Sequence, residues 1–130
     1  MSVWDTYDVE DKIKEVLSEI KYPSNPEHHF GTPFITAYQL AIELDKRYPY
    51  IAQQLGYKIG GRGTDEKNSL SQYLAQQLSQ RIKSGKISDI EGAFITNSNL
   101  KDIIFDYNGE KIPSSLTKSQ YDLSMYRLIK

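Results

Sequence analysis

Apolar side chains recur at helical spacing through the first two-thirds of the chain. Ile13, Val16, Leu17 and Ile20 form one stripe and predict a helix from about Asp8 to Ile20. Pro23 and Pro26 forbid its continuation. A second helix is expected after Phe34-Ile35, with Thr36 as N-cap and Ala37, Leu40, Ala41 and Leu44 facing inward. A short third helix begins at Pro49, buries Ile51, Ala52 and Leu55, and stops at Gly56. The fourth opens on Asn68 or Ser69 and runs to Ser84, its inner face made of Leu70, Tyr73, Leu74, Leu78 and Ile82.

The period changes after Lys86. Ala93-Phe94-Ile95 favours strand, Asn97-Ser98-Asn99 has turn composition, and Leu100, Ile103, Ile104, Phe105 and Tyr107 read as a second strand closed by Asn108-Gly109. A hairpin between those two strands is the simplest expectation. Residues 114–119 read as loop, and Leu123, Met125, Tyr126, Leu128 and Ile129 as a last strand or short helix. The class is α+β: a small helical domain with a C-terminal antiparallel hairpin or small sheet. One domain is expected over residues 1–130. It comprises an N-terminal helix (1–22), a core (34–108), and a C-terminal loop with the last element (109–130). The first helix packs either on that core or on a second copy, which leaves a homodimer open.

At 130 residues the chain fits one compact core, and ten tyrosines, four phenylalanines and a tryptophan argue against disorder. With no cysteine, disulfides, thiolate metal sites and Cys nucleophiles are excluded. No apolar run reaches the roughly 20 residues that span a bilayer, and Met1-Ser2-Val3-Trp4-Asp5 does not resemble a signal peptide. A cytoplasmic protein without a membrane partner is the expectation. The net charge of -1 hides an asymmetry. Residues 1–56 carry -4, residues 57–87 carry +4 through Lys58, Arg62, Lys67, Arg81, Lys83 and Lys86, and the remainder carries -1. A basic segment within an acidic chain points to an anionic partner.

Chemistry narrows the choice further. From Asn68 to Gly85 there is no Asp or Glu, and Ser71, Gln72, Gln76, Gln77, Ser79, Gln80, Arg81 and Lys83 are expected on the solvent side. Absence of carboxylates suits a face that approaches phosphate, and Gln or Ser side chains can read base edges. The preceding Gly60-Gly61-Arg62-Gly63-Thr64 offers backbone N–H groups and a guanidinium to an anion, helped by the helix N-terminus and the Ser69 hydroxyl. Its spacing matches neither GxxxxGK[ST] nor GxGxxG.

The order of elements, with Thr36-Ala37-Tyr38-Gln39-Leu40-Ala41, Ser69-Leu70-Ser71-Gln72-Tyr73-Leu74-Ala75 and Ser84-Gly85-Lys86-Ile87, resembles the winged helix-turn-helix family over residues 34–108. That resemblance implies that the long helix enters the major groove of double-stranded DNA while a wing touches flanking backbone. The implied nucleic-acid face comprises Lys58, Arg62, Lys67, Ser71, Gln72, Gln76, Arg81 and Lys83. The chain departs from the family in the dozen residues linking Tyr57 to Asn68, and in a wing carrying Asp89, Glu91, Asp102 and Asp106 with Lys101 as its only base.

Catalytic sets are thin. His28 and His29 are adjacent in a Pro-rich loop, and Ser115-Leu116-Thr117-Lys118 matches S-x-x-K without partner motifs. Neither an enzyme nor a cofactor or metal is expected. The competing reading is a protein-interaction or inhibitor module on the same scaffold, docking through Tyr22, Tyr38, Tyr48, Tyr50, Tyr57 and Tyr73. The acidic pI of about 6.1 fits that reading.

Overall fold

The computed structural model describes residues 2–21, 28–60, 69–96, 98–100, 103–114 and 123–129. Helices α1 (Val3–Thr6) and α2 (Val9–Ser18) lead to a two-residue strand β1 (Ile35–Thr36), followed by α3 (Ala37–Arg47), α4 (Tyr50–Leu55) and α5 (Leu70–Lys83). Four further strands follow: β2 (Ile90–Ile95), β3 (Ile104–Tyr107), β4 (Glu110–Pro113) and β5 (Leu123–Leu128). The mixed α+β class with antiparallel sheets is as expected.

Local signals produced the helices where periodicity placed them. Thr36 caps α3 through a reciprocal box. Its Oγ1 accepts from the Gln39 N–H at 3.1 Å, and Gln39 Oε1 accepts from the Thr36 N–H at 2.7 Å. Ser69 caps α5 by accepting from the Gln72 N–H at 3.2 Å. Buried faces then converge: Val9, Ile13, Val16 and Leu17 of α2, Leu40 and Leu44 of α3, and Leu70, Leu74 and Leu78 of α5 share one core with Ile35, Ile90 and Tyr126. Each such side chain contributes about 1.5–3 kcal/mol on burial. The α2 stripe thereby packs on the core of its own chain.

The sheet corrects the expected hairpin. β2 does not pair with β3; it pairs antiparallel with β5, and the three-stranded order is β1-β5-β2. β3 pairs instead with β4 across Asn108-Gly109, both in left-handed conformation with φ of 54° and 77°. That geometry is the Asn-Gly hairpin turn, whose positive φ values suit the twist of the flanking strands. The β3–β4 hairpin folds over α3, where Phe105 stacks on Tyr38 at 5.1 Å and joins Ile42, Ile112 and Leu123 in a second cluster. Asn97, Lys101 and Asp102 of the expected turn and wing, with the Pro23–Pro26 stop and Ser115–Lys118, lie outside the described residues.

Arg127 fastens the segment before β1 to the sheet. Its Nη1 donates to the carbonyls of Phe30 (2.5 Å) and Thr32 (3.2 Å), its Nη2 to Glu91 (2.9 Å), and its guanidinium lies 4.3 Å from the Phe34 ring centre. Among the described residues, no helix is long and apolar enough to cross a membrane.

Thr36→Ala removes the cap that starts α3 and should cost about 1 kcal/mol of stability. Urea melts of the variant and the parent, compared at unchanged m-value, read this directly; an unchanged midpoint would contradict the role given to the cap.

Candidate nucleic-acid interface

Helix α5 divides into three stripes. Leu70, Ser71, Leu74 and Leu78 are buried. Tyr73, Gln77 and Arg81, spaced four residues apart, turn toward α1. There the Tyr73 ring meets Trp4 at 6.4 Å and Tyr57 at 6.3 Å, and the Arg81 guanidinium lies 4.3 Å from the Trp4 ring centre while donating to Gln77 Oε1. Burial pushes the Tyr73 hydroxyl pKa above its ordinary value, with the Arg81 charge opposing the shift. The remaining stripe is open: Gln76, Ser79, Gln80 and Lys83 are exposed, and Gln72 is half-buried at its upper end.

Two expected site residues change role. Ser71 is not a base reader: it is buried, its Oγ lies 3.3 Å from Ser69 Oγ, and its N–H donates to the Ile59 carbonyl. Arg81 is half-buried and stacked on Trp4, so its charge is engaged inside the molecule. Gln72, Gln76 and Lys83 lie along the open side of α5. Lys58 is exposed and bridged in parallel to Ser69, which sets it at the helix N-terminus. A helix of this length spans about 21 Å, so Lys58 and Lys83 flank the open stripe from opposite ends. Arg62 and Lys67 lie outside the described residues.

The expected anion cradle at the α5 N-terminus falls only partly within the described residues, since residues 61–64 lie outside them. Its first-turn donors already have partners. Leu70 N–H donates to Lys58 O at 2.7 Å, Ser71 N–H to Ile59 O at 2.9 Å, Gln72 N–H to Ser69 Oγ, and Tyr73 N–H to Ser69 O at 2.9 Å. Gly60 permits a close approach to the start of α5. A Cβ there would fall 2.4 Å from Ser71 Oγ, at a φ of 130° that side chains disfavour.

Carboxylates near the sheet have ion-pair partners: Asp89 pairs with Lys14 at 3.1 Å, Glu91 with Arg127, and the exposed Asp106 with Lys111 at 3.5 Å. The expected tyrosine surface is largely spent internally. Tyr38 is buried on Phe105, Tyr57 and Tyr73 meet each other, and Tyr48 donates to Glu15 at 2.7 Å. Tyr50 is exposed beside Tyr7, while Tyr22 lies outside the described residues. His28 and His29 stack on each other at 4.2 Å, both edge-on to Phe30.

A cleft of about 480 Å³ lies beside the Lys58–Gly60 segment, closed on its far side by the β3–β4 hairpin. Tyr107 donates to Asp45 Oδ2 at 2.7 Å on its wall. Burial, reinforced by the Asp45 carboxylate, pushes the Tyr107 pKa up to about 12.

Sequence reasoning missed α1 and Trp4. Ser2-Val3-Trp4-Asp5 carries the signal: Ser2 Oγ accepts from the Asp5 N–H at 3.2 Å and donates to its carboxylate at 3.0 Å, an S-x-x-D capping pattern. Comparison with known families, curated proteins and solved structures finds no match for the chain.

The Tyr107 shift has a pH consequence. Its folded pKa is raised above the ordinary 10.0, so its contribution is complete below pH 10 and is lost as pH rises toward 12. Stability should therefore fall more steeply between pH 10 and 12 in the parent than in Tyr107→Phe, as measured by urea midpoints. Parallel curves would remove Tyr107 from the account.

Proposed function

We propose that the chain is a winged-helix-like DNA-binding module of regulatory type, with α5 entering the major groove. One observation carries the reading: the open stripe of α5 holds Gln76, Ser79, Gln80 and Lys83 and no carboxylate. The other long helices differ. α2 pairs Lys14 with Glu10 at 2.8 Å, and α3 pairs Lys46 and Arg47 with Glu43 at 3.3 and 3.7 Å. Such intrahelical pairs are the common dressing of an exposed helix. α5 forgoes them where a phosphate backbone would repel the acidic member.

The element order lends further support. α3, short α4 and long α5 are followed by the antiparallel β2–β5 pair, which would form the stem of a wing with the β3–β4 hairpin inserted between its strands. In this reading Lys58 and Lys83, joined by Arg62 and Lys67, neutralise phosphates, while Gln76 and Gln72 read base edges. Docking through tyrosines has less support, because Tyr38, Tyr48, Tyr57 and Tyr73 already have partners within the chain.

Salt titration on two duplexes tests the proposal. Affinity should fall with a log–log slope near -0.9 per phosphate contacted, so four basic residues give roughly -3.6. Lys83→Ala, Arg62→Ala and Lys67→Ala should each weaken binding to both duplexes and flatten the slope by about one unit. Gln76→Ala should leave the slope unchanged and narrow the preference between duplexes, by on the order of 1–3 kcal/mol for a lost bidentate pair. No binding to either duplex at low salt would overturn the proposal in favour of a protein partner.

A further inference from the structure

Strand β2 ends the three-stranded sheet, and among the described residues its outer edge has no partner strand. The hydrogen-bond phase of that edge follows from its inner ladder. Ile129 N–H donates to Asp89 O at 2.8 Å, and these two residues stand opposite each other in the β2–β5 register. Bonded and non-bonded pairs alternate in an antiparallel ladder. Glu91, Ala93 and Ile95 therefore bond inward to β5, while Ile90, Gly92 and Phe94 direct their N–H and C=O groups outward.

The edge lacks the usual protection against pairing. Between Ile90 and Ile95 there is no Lys, no Pro and no bulge. Its one charge, Glu91, is held by Arg127. Phe94 is 68% exposed and Ile95 37%. Gly92 leaves a hollow on the face that Phe94 shares, where an added Cβ would lie 3.6 Å from the Tyr126 ring and 3.9 Å from Ile82.

We propose that this edge pairs antiparallel with β2 of a second copy, about a two-fold axis through Ala93, giving a continuous six-stranded sheet. A two-fold normal to the sheet keeps each face on its own side, so opposed residues must share a face. The register centred on Ala93 sets Gly92 of one copy opposite Phe94 of the other, twice, with outward-directed groups facing one another. Each Phe94 then covers the hollow at the other copy's Gly92, an aromatic–glycine cross-strand pair. Centring on Gly92 instead leaves two glycines face to face on the axis and that hollow unfilled. Glu91 lies opposite Ile95 of the other copy, so no like charges meet. The pairing runs along about 20 Å of strand and buries two phenylalanines, roughly 1,000 Å² in total, which is the weak end of specific interfaces. The dimer is accordingly concentration-dependent.

The absence of cysteine makes the test clean. Ala93→Cys places two thiols across a close non-hydrogen-bonded pair and should cross-link to a covalent dimer under mild oxidation. Ile95→Cys, about 13 Å from its counterpart in this register, should not. Sedimentation equilibrium across micromolar to submillimolar concentrations should give a rising average mass for the parent. Phe94→Lys, altering an exposed residue, should raise the dimer dissociation constant at least about tenfold with an unchanged thermal melt. A parent chain that stays monomeric throughout, or Ile95→Cys cross-linking faster than Ala93→Cys, would overturn the proposal.

Discussion

The last strand in the chain is the middle strand of the sheet, and the rest of the architecture depends on that placement. β5 pairs with β1 on one side and β2 on the other. Its side chains reach both hydrophobic clusters, Tyr126 entering the one beneath α3 and α5 and Leu123 the one beneath the β3–β4 hairpin. Arg127 from the same strand ties down the approach to β1 and holds Glu91 on β2. Without β5, β1 and β2 are separate strands, Ile90 loses its sheet neighbours, and the helices keep only one another. Closure of the fold is thus a late, long-range event in sequence, with a loop-closure cost met before the sheet is complete.

What the sequence revealed, and what it hid, follows from the same division between local and distant causes. Helices α2 to α5 were legible because a cap and an apolar stripe act within a few residues: Thr36 with Gln39, Ser69 with Gln72, Leu70 with Leu74 and Leu78. The β3–β4 turn was equally local. Asn108-Gly109 is a hairpin signal, and it misled only because it was read as the end of a hairpin already assigned to Ala93–Tyr107. The partner of β2 lay beyond local reach. Nothing near Phe94 distinguishes pairing with Ile103–Tyr107 from pairing with a strand some thirty residues later, since both are apolar and β-prone. Ser71 and Arg81 were misplaced for a similar reason. Helical spacing gives the angle of each residue about α5, but Ser71 is covered by the Ile59–Gly60 segment and Arg81 by Trp4, neither of which belongs to the helix.

The charge pattern acquires a sharper meaning once these contacts are known. A local +4 over residues 57–87 is not all available to a ligand, because Arg81 is stacked on Trp4. The carboxylates of Asp89 and Glu91 are likewise paired within the chain, with Lys14 and Arg127. The two corrections act in opposite directions. What distinguishes the α5 face is therefore less its positive charge than its lack of negative charge, with amides in place of the ion pairs that α2 and α3 carry.

The sheet edge and the helix face are linked by geometry. Ile82 of α5 lies against the same side of β2 that carries Gly92 and Phe94. A two-fold normal to the sheet does not exchange its sides, so a pair joined through β2 carries both copies of α5 on one side of a common sheet. Two reading helices related by a dyad and facing one way are the arrangement that matches a palindromic duplex, whose half-sites carry the same symmetry. Edge pairing and groove reading are separable claims, since either survives the failure of the other. Together they would convert one modest helix face into two, since a bivalent contact gains affinity through effective concentration without any new side chain.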